Sequence, residues 1–444
     1  MKKLFSFTLM LAFIIMSMLP CLAQGAKVIA IDAGDEYSVA LMSDGTVWAW
    51  GYNWLGRLGN DSYASSSSPL PIRSSITKVK AISAGSDGVS VLRDDGTVWS
   101  WGGASYGQMG DGKKVEYGQI GAFTSTPTMA NISSVKALSR GSYFTVTALD
   151  NGTVWAWGYN YDGRVGDGTN GTNTDKWCPV QIMGLSNIKD VKAGLNHWVV
   201  LDNDGNVWMA GQNITSTAED ITIPINNTSA IVVPPPPLSH PVRIPISGVI
   251  AITAGRSFSL ALKSDGTVWG WGDDTFGELG NGESAPQFMT SEDRIVHQTP
   301  VMAQGLDDVI AIDSNDQVSL ALKKDGTVWE WGRENPNRVL AIPTKIPIDN
   351  VIAIACGQNH FLALKSDGSL WSWGANDFGQ MGTGPSTGGS SQQPARVLLD
   401  YSLISSEASN KPVSINGTGL IQLFVLADLI AIACGVVYFI KKKM

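Results

Sequence analysis

Two short stretches of the chain match motifs that can support catalysis or cofactor binding. Residues 103–107 read G-A-S-Y-G, the G-x-S-x-G spacing that exposes a nucleophilic serine on a strained turn between a strand and a helix. Residues 166–171 read G-D-G-T-N-G, the G-x-G-x-x-G spacing that binds a pyrophosphate where a helix begins. No helical pattern follows either stretch, and Pro179 comes soon after the second. We therefore interpret both as turn-rich surface loops, not as hydrolase or dinucleotide sites.

The residues that could bind a metal ion are equally isolated in the sequence. Residues 202–206 read D-N-D-G-N, but their glycine is fourth, whereas a calcium-binding EF-hand loop places it sixth. His197 and His360 each follow a glycine by three residues, and this equivalent position favours a structural role. A nucleophile, a base and an orienting group are not recognisable together. The sequence therefore predicts a protein that is not an enzyme, with no catalytic residue, metal site or cofactor.

The elements that carry these residues come from one motif repeated seven times. Aspartate or asparagine and then glycine precede a stretch similar to Thr-Val-Trp-x-Trp-Gly, in copies that begin at Asp44, Asp95, Asn151, Asp204, Asp265, Asp325 and Asp367. Asp-Gly favours a tight hairpin turn, and threonine, valine and tryptophan favour strands. Two strand-like stretches precede each turn, and a fourth follows the motif. Four strands in a repeat of 42 to 61 residues describe one blade, which predicts an all-β, seven-bladed β-propeller.

The repeat also resembles a known family. The pattern A-G-x-x-x-S-L-A-L, followed by D-G-T-V-W-x-W-G-x-N-x-x-G-x-L-G, is similar to the regulator of chromosome condensation repeat across residues 27–400. The resemblance implies a seven-bladed β-propeller but leaves the function open, since one fold supports many kinds of site. Thirteen of the sixteen tryptophans lie in the motif. We expect them in the core, because the same positions recur from blade to blade.

Two blades and two cysteines depart from the common pattern. Blade four has Ala210 in place of the second tryptophan, and an insert at residues 212–240 that we expect to be an extended loop with a polyproline stretch. In blade six, residues 314–315 replace Ala-Gly. Cys178 and Cys356 belong to blades three and seven, which a ring of seven keeps apart. We therefore expect two separate thiols, each buried or half-buried.

Both ends of the chain predict export and membrane attachment. Two lysines followed by an apolar run predict a signal peptide at residues 1–23. After the polar residues 401–419, expected to form a stalk, residues 420–440 are long and apolar enough for one transmembrane helix. The lysines in residues 441–444 would remain as a cytoplasmic tail, which places the propeller outside the cytoplasm. A sorting tail that is removed after export is the alternative.

The charge of the chain argues against binding to nucleic acid. The formal charge is −8, and without the five terminal lysines and Asp428 the remaining 26 basic and 38 acidic residues give −12. A nucleic-acid-binding protein needs a basic surface to displace the counterions of the phosphates. The chromatin-associated role that the family resemblance implies is therefore not expected for this chain.

One end of the propeller is the expected working surface. Because neighbouring strands run in opposite directions, the Ala-Gly and Trp-Gly loops open on one end and the Asp-Gly hairpins on the other. Residues on the first end vary between blades and include tyrosine, tryptophan and arginine, the usual anchors of protein interfaces. The candidate residues for partner binding are Asp35, Glu36, Tyr52, Trp54, Asp87, Tyr106, Tyr143, Tyr159, Tyr161, Arg256, Phe276, Asn359 and Phe378.

We expect this end to bind a protein at or outside the cell surface. The chain would then be a non-enzymatic, extracytoplasmic binding module held at the membrane by its C-terminal helix, an arrangement similar to secreted members of the family. The alternative is a carbohydrate-binding, lectin-like propeller that uses Trp54, Tyr106 and Tyr161 as stacking platforms for a glycan. The long insert of blade four could also carry a site by itself.

Overall fold

The computed structural model describes residues 25–399, apart from residues 63–66, 116–121, 216–220, 227–228, 234–236, 287–292, 336–337 and 386–387. Residues Lys27–Leu399 form one compact unit. The predicted signal peptide, stalk, transmembrane helix and cytoplasmic tail lie outside the described residues. Within the described part of the chain, no helix has the length and apolar character needed to cross a membrane.

The strands form seven four-stranded antiparallel sheets, each from one copy of the repeat, so the predicted all-β, seven-bladed propeller is confirmed. Blades one to three contain β1 Val28–Ala33, β2 Tyr37–Met42, β3 Val47–Gly51, β4 Ser68–Arg73; β5 Val79–Ala84, β6 Gly88–Arg93, β7 Val98–Gly103, β8 Phe123–Met129; and β9 Val135–Arg140, β10 Phe144–Leu149, β11 Val154–Gly158, β12 Lys176–Ile182. Blade four contains β13 Ile188–Ala193, β14 His197–Asp202, β15 Val207–Gly211 and β18 Leu238–Arg243, and its insert contains β16 Ile221–Asn226 and β17 Ser229–Val233. Blades five to seven contain β19 Val249–Ala254, β20 Phe258–Lys263, β21 Val268–Asp273, β22 Val296–Met302; β23 Val309–Asn315, β24 Val318–Lys323, β25 Val328–Asn335, β26 Arg338–Lys345; and β27 Val351–Cys356, β28 His360–Lys365, β29 Leu370–Ala375, β30 Ser390–Arg396.

The Asp-Gly hairpins are fixed by local hydrogen bonds. In blade one, Asp44 Oδ1 accepts hydrogen bonds from the amide of Thr46 at 3.0 Å and from its hydroxyl at 2.7 Å. Gly45 has a φ of 77°, in the left-handed region that glycine tolerates best. Five other blades repeat this pair of bonds. Because the turn is specified by three consecutive residues, each repeat forms its own hairpin.

The first strands of the seven blades pack on one another in a closed ring around an axis. Blades seven and one share no strand, and they meet through side chains and through backbone hydrogen bonds such as the one from the Gln358 amide to the Gly34 carbonyl at 3.3 Å. Ser38 Oγ in blade one lies 2.8 Å from His360 Nε2 and donates to the carbonyl of Gln380 at 2.8 Å. His197 makes the equivalent contact, with Ser259 of the next blade at 2.8 Å. Burial lowers the pKa of both histidines to about 3, so both are neutral structural residues.

The second tryptophan of each pair forms the seam between neighbouring blades. Six of them are completely buried: Trp50, Trp101, Trp157, Trp271, Trp331 and Trp373. In blade three, Trp157 Nε1 donates to the carbonyl of Gln108 in blade two at 3.0 Å. In blade one the first tryptophan, Trp48, is buried, but in the other six blades it is only half-buried, less than we expected for a core residue. Trp269, for example, is half-buried, donates to Thr267 Oγ1 at 3.0 Å and packs under Lys263.

Blade four keeps this seam although it lacks the second tryptophan. Trp198 on β14 lies opposite Ala210 on β15, and its side chain is completely buried. A Cβ added to Gly166 would lie 2.6 Å from the Trp198 ring, just as a Cβ added to Gly110 would lie 2.7 Å from Trp157. The indole of blade four therefore reaches the common position from the neighbouring strand.

The insert of blade four contains a β-hairpin, so the expected extended loop is wrong for this stretch. Strands β16 and β17 pair antiparallel, with Ile223 opposite Ile231. β16 is rich in isoleucine and β17 in isoleucine and valine, and their preference for strands outweighs Pro224 within β16. Blade six also departs from the common form, because β25 and β26 extend into a longer hairpin of eight residues each where other blades have the glycine loop.

The ring leaves a cavity of about 70 Å³ on its axis. Asp32, Lys192 and Asp313 line it from three different blades. Burial raises the pKa of Asp32 to about 7, and the nearby Asp313 adds to this effect. Burial disfavours the charged form of Lys192, but Asp190, Asp313 and Asp32 outweigh it and raise the pKa of the lysine. A cavity of this size is well below the roughly 300–1,000 Å³ of ligand pockets, so the loops are the better candidates for binding.

Candidate binding face

The loops of each blade open on two opposite faces. We call the end with the Ala-Gly and Trp-Gly loops the upper face, and the end with the Asp-Gly hairpins and the links between blades the lower face. On the upper face the two loops of a blade are joined by backbone hydrogen bonds, as from Tyr52 to Glu36 at 2.9 Å and from Tyr159 to Tyr143 at 2.9 Å. On the lower face, the carbonyl of Gly45 in the hairpin accepts a hydrogen bond from the amide of Val79, at the start of β5, at 3.1 Å.

Four tyrosines of blades two and three meet on the upper face, and we call them the tyrosine cluster. The ring of Tyr106 lies 5.6 Å from Tyr143 and 4.9 Å from Tyr159, both edge to face. Tyr161 stacks beside Tyr159 at 6.4 Å. Tyr143 and Tyr161 expose 39% and 53% of their surface, so the cluster presents aromatic area to solvent. Its members come from three separate loops.

A buried arginine supports the tyrosine cluster from below. The guanidinium of Arg164 lies 4.7 Å from the centre of the Tyr159 ring and 5.9 Å from that of Phe144. Its Nε donates to Asp162 Oδ1 at 2.6 Å, and the residue is only 4% exposed. A cation held against an aromatic face stabilises the ring by about 0.5–2 kcal/mol. Arg164 therefore stabilises the position of the tyrosine cluster.

A second group of aromatic residues joins blades seven and one, and we call it the tryptophan cluster. Tyr52 stacks on Phe378 with ring centres 4.4 Å apart. Beside them Arg57 lies 5.2 Å from the ring of Trp54 and 3.7 Å from a carboxylate oxygen of Glu36. Arg57 is 4% exposed, whereas Trp54 is 44% exposed. As in the tyrosine cluster, a buried arginine fixes an exposed aromatic surface.

The remaining candidates do not join either cluster. Asp35 is half-buried, and burial raises its pKa to about 6. Arg256 forms an ion pair with Asp316 in blade six. Phe276 is half-buried under Arg333, whose guanidinium lies 4.3 Å from its ring. Asn359 is exposed on blade seven. The structure thus brings seven of the predicted residues together on the consecutive blades seven, one, two and three, with Glu36 joined through Arg57.

Two expectations for single side chains are wrong. Asp87 does not contribute to the exposed surface, because its carboxylate is buried against Arg140 at 2.9 Å and accepts a bond from Gln108 at 2.8 Å. Cys178 is exposed rather than buried or half-buried, whereas Cys356 is buried. Both thiols are free, as expected for cysteines in distant blades.

The two motif-like stretches are loops. Ser105 is 9% exposed, and its hydroxyl donates to the carbonyl of Ala122 at 3.2 Å. In the second stretch, Asp167 pairs with Lys176 at 2.7 Å and accepts a bond from the hydroxyl of Thr169 at 2.6 Å. These contacts give both stretches structural partners within the upper loops, which agrees with the interpretation from the sequence.

One position on the lower face follows a pattern around the ring that we did not predict from the sequence. The second residue of the first strand is an exposed isoleucine in four consecutive blades, namely Ile250, Ile310, Ile352 and Ile29, each more than 49% exposed. In the other three blades the same position holds Lys80, Lys136 and Lys189. At this position the ring is therefore apolar in four consecutive blades and basic in the other three. Alignment of the repeats alone could have revealed this pattern.

Two family models of the regulator of chromosome condensation (RCC1) repeat match the chain. One matches residues 28–54, 79–108, 249–278 and 351–380, and the other matches residues 44–92, 151–201 and 367–436. Together they cover more than half of the chain. The chain belongs to this repeat family. Blade six lies outside both matches, and it is the blade whose glycine loop is replaced by a longer hairpin.

Individual family relatives are similar over about two thirds of the chain. Protein pim1 of Schizosaccharomyces pombe is 27% identical over 326 residues, which are 69% of this chain and 59% of pim1. Ultraviolet-B receptor UVR8 of Arabidopsis thaliana is 26% identical over 324 residues, 70% of this chain and 66% of UVR8. The match therefore spans less than two thirds of the length of either relative.

Solved structures share the fold. Human WBSCR16 has a TM-score of 0.63 at 20% identity, over 80% of this chain and 95% of that one. Prp20p of Saccharomyces cerevisiae, a structure described together with its binding to Gsp1p and histones, has a TM-score of 0.63 at 18% identity, over 84% and 88%. Yeast RCC1 (Prp20) bound to Kap60 gives 0.62 at 19% identity, over 84% and 85%. At these identities the likeness establishes the fold alone.

Proposed function

We propose that this chain is an exported, membrane-anchored and non-enzymatic binding module. Its upper face on blades seven, one, two and three takes up a protein partner at or outside the cell surface. The observation that carries the proposal is the pair of aromatic clusters, each set on a buried arginine. Exposed tyrosine and tryptophan with fixed geometry bind partners at a low entropic cost, because little side-chain freedom is lost.

The relatives support a protein as the partner. Prp20 has been solved bound to Kap60, and its binding to Gsp1p and histones has been described. A protein that shares this fold therefore binds other proteins, and we extend protein binding to a different partner here. The signal-like and anchor-like ends of the sequence support a partner outside the cytoplasm.

A glycan is the second candidate ligand, because Trp54 and Tyr161 are the most exposed aromatic rings of the two clusters, at 44% and 53%. Flat exposed rings can stack on sugars as well as on protein side chains. A glycan array probed with the purified full-length chain separates the two. Protein capture without a glycan signal favours the first candidate, and a selective glycan signal that Trp54→Ala abolishes favours the second.

The test compares matched surface changes on the two faces. The full-length chain is used to capture proteins labelled on the surface of intact cells. Combined Trp54→Ala and Tyr161→Ala should lower affinity for the captured partner by about 30-fold or more, since a hot-spot aromatic is worth about 2 kcal/mol or more. Combined Ile250→Ala and Ile310→Ala, exposed to a similar extent on the lower face, should leave capture unchanged.

Three results would contradict the proposal. Equal capture by both variants would mean that neither face tested carries the site. Loss only with the isoleucine changes would assign the site to the lower face. Loss only when residues 215–236 are deleted would assign it to the insert of blade four, whose hairpin pairs only with itself among the described strands.

A further inference from the structure

Asp274, in the upper loop of blade five, has a buried oxygen that no hydrogen bond satisfies. Blades one, three and seven have asparagine at this position. In blade one, Asn53 Oδ1 accepts from the amide of Leu58 at 3.0 Å and its Nδ2 donates to the carbonyl of Ser62 at 3.2 Å. Asp274 Oδ1 keeps the first bond, from the amide of Leu279 at 2.8 Å. Its Oδ2 lies where asparagine has the donating Nδ2. This oxygen accepts no hydrogen bond, although the side chain is completely buried.

Two further side chains bring ligand atoms to this oxygen. His297 Nε2, on β22, lies 3.4 Å from Asp274 Oδ2 and 3.3 Å from Glu283 Oε2. All three atoms lie within 4.8 Å of one another. A tetrahedral zinc ion with ligand bonds of about 2.0–2.1 Å holds its ligand atoms about 3.3–3.4 Å apart. The two measured separations therefore match two edges of such a tetrahedron.

The donor set fits zinc better than calcium or magnesium. Imidazole is a good ligand for zinc, whereas calcium and magnesium prefer sites made only of oxygen. Three protein ligands leave a fourth position for water or for an atom of a partner. A divalent cation would also offset the buried negative charge and give Asp274 Oδ2 the partner that it lacks.

The same residues have two simpler arrangements without a metal. In one, Asp274, whose pKa burial raises to about 7, is protonated on Oδ2 and donates to His297 Nε2. The other is an ion pair. A protonated His297 would form an ion pair with the two carboxylates. The side-chain nitrogen of Asn281 also lies 3.2 Å from His297 Nε2, and it competes for that atom when the histidine is neutral. Neither arrangement predicts affinity for a cation, so metal binding distinguishes both of them from a metal site.

We propose that Asp274, Glu283 and His297 bind one divalent cation, with zinc as the best fit, on the upper face of blade five. The cation would join the loop that follows β21 to the outermost strand of the blade. The site lies on a different blade from both aromatic clusters. The proposed metal site is therefore independent of the proposed function.

The test is the zinc content and zinc affinity of the purified full-length chain, after removal of metal with a chelator and reloading with Zn²⁺. We expect one zinc ion per chain by elemental analysis. Asp274→Asn restores the residue of blades one, three and seven and keeps an acceptor for Leu279. It should lower zinc affinity by about 100-fold or more, since even changes outside the ligand shell cost about 10–100-fold. His297→Gln should have the same effect.

His240→Gln is the matched control, because His240 is an exposed histidine on the outermost strand of blade four. It should keep the wild-type zinc content. Zinc should raise the melting temperature of the wild type and of His240→Gln but not of Asp274→Asn. In chelator, Asp274→Asn should melt no lower than the wild type, which shows that the variant is folded. Equal zinc binding by the wild type and Asp274→Asn would overturn the proposal. So would the absence of zinc binding by the wild type at micromolar free zinc.

Discussion

Blade four allows a direct test of how the blades pack, because its seam tryptophan lies on a different strand. In blades one, five and six a serine on the second strand is opposite the seam tryptophan of the third, as Ser38 is opposite Trp50. In blade four Trp198 is opposite Ala210. Trp198→Ser combined with Ala210→Trp therefore recreates the arrangement of blade one.

Each single change should be destabilising, for a different reason. Trp198→Ser removes a completely buried indole from the core between blades three and four, a kind of loss that costs about 3–5 kcal/mol. Ala210→Trp places a second indole where the position is already filled, and overpacking costs about 1–3 kcal/mol. The double variant fills the position once. Its indole nitrogen would also reach the carbonyl of Arg164, the counterpart of the acceptor that Trp157 uses, whereas Trp198 Nε1 has no hydrogen bond.

The four proteins form a double-mutant cycle measured by equilibrium unfolding in urea. If the single costs added, the double variant would lose about 4–8 kcal/mol. We expect instead that it loses less than about 2 kcal/mol, which gives a coupling of about 2 kcal/mol or more between the two positions. Additive losses would show that Trp198 does not occupy the common seam position.

Three further predictions concern stability, pH and topology. Trp331→Ala removes a completely buried ring and its 2.7 Å hydrogen bond to the carbonyl of Glu278, so it should lower the free energy of unfolding by about 3–5 kcal/mol. Trp54→Ala, on an exposed loop, should lower it by about 0.5 kcal/mol or less. Equal shifts in melting temperature would refute this prediction. The pKa of Asp32 is raised from 3.8 to about 7 in the folded chain, so between these values the folded chain binds a proton that the unfolded chain has lost. The free energy of unfolding should therefore fall as the pH rises from about 4 to about 7. Asp32→Asn should flatten that slope. Asp313 and Lys192 face the same axis, and an unchanged slope in the variant would assign the pH dependence to them or to other groups. Protease added to intact cells should digest the propeller, and full protection together with a soluble cytosolic pool would refute export.

The fold was predictable because its determinants are local and repeated. The Asp-Gly turn is closed by hydrogen bonds that one aspartate accepts from the residue two positions later, so three consecutive residues predict the hairpin. The strands on either side carry β-branched and aromatic residues in every blade. The hairpin in the insert was not predicted, because the proline and polar residues of the insert favour a loop and its two runs rich in isoleucine and valine are short.

The candidate site was predictable only in part, because its contacts cross between loops and blades. The sequence placed Tyr106 and Tyr143 on one end but not in contact, since they belong to different blades. It also placed Asp87 at the surface, whereas Arg140 from the next blade draws the carboxylate inside. The buried arginines under the clusters and the neighbours of Asp274 depend on loop conformations that no repeat pattern encodes.

Site-specific photo-crosslinking on intact cells tests whether the upper face contacts a protein outside the cytoplasm. A benzophenone amino acid is introduced in place of Tyr161 on the upper face or of Met183, 75% exposed on the lower face. We predict a discrete protein adduct from the position of Tyr161 that is sensitive to external protease, and none from the position of Met183. An adduct only from the position of Met183, or one formed only with cytosolic proteins, would contradict binding of an external protein by the upper face.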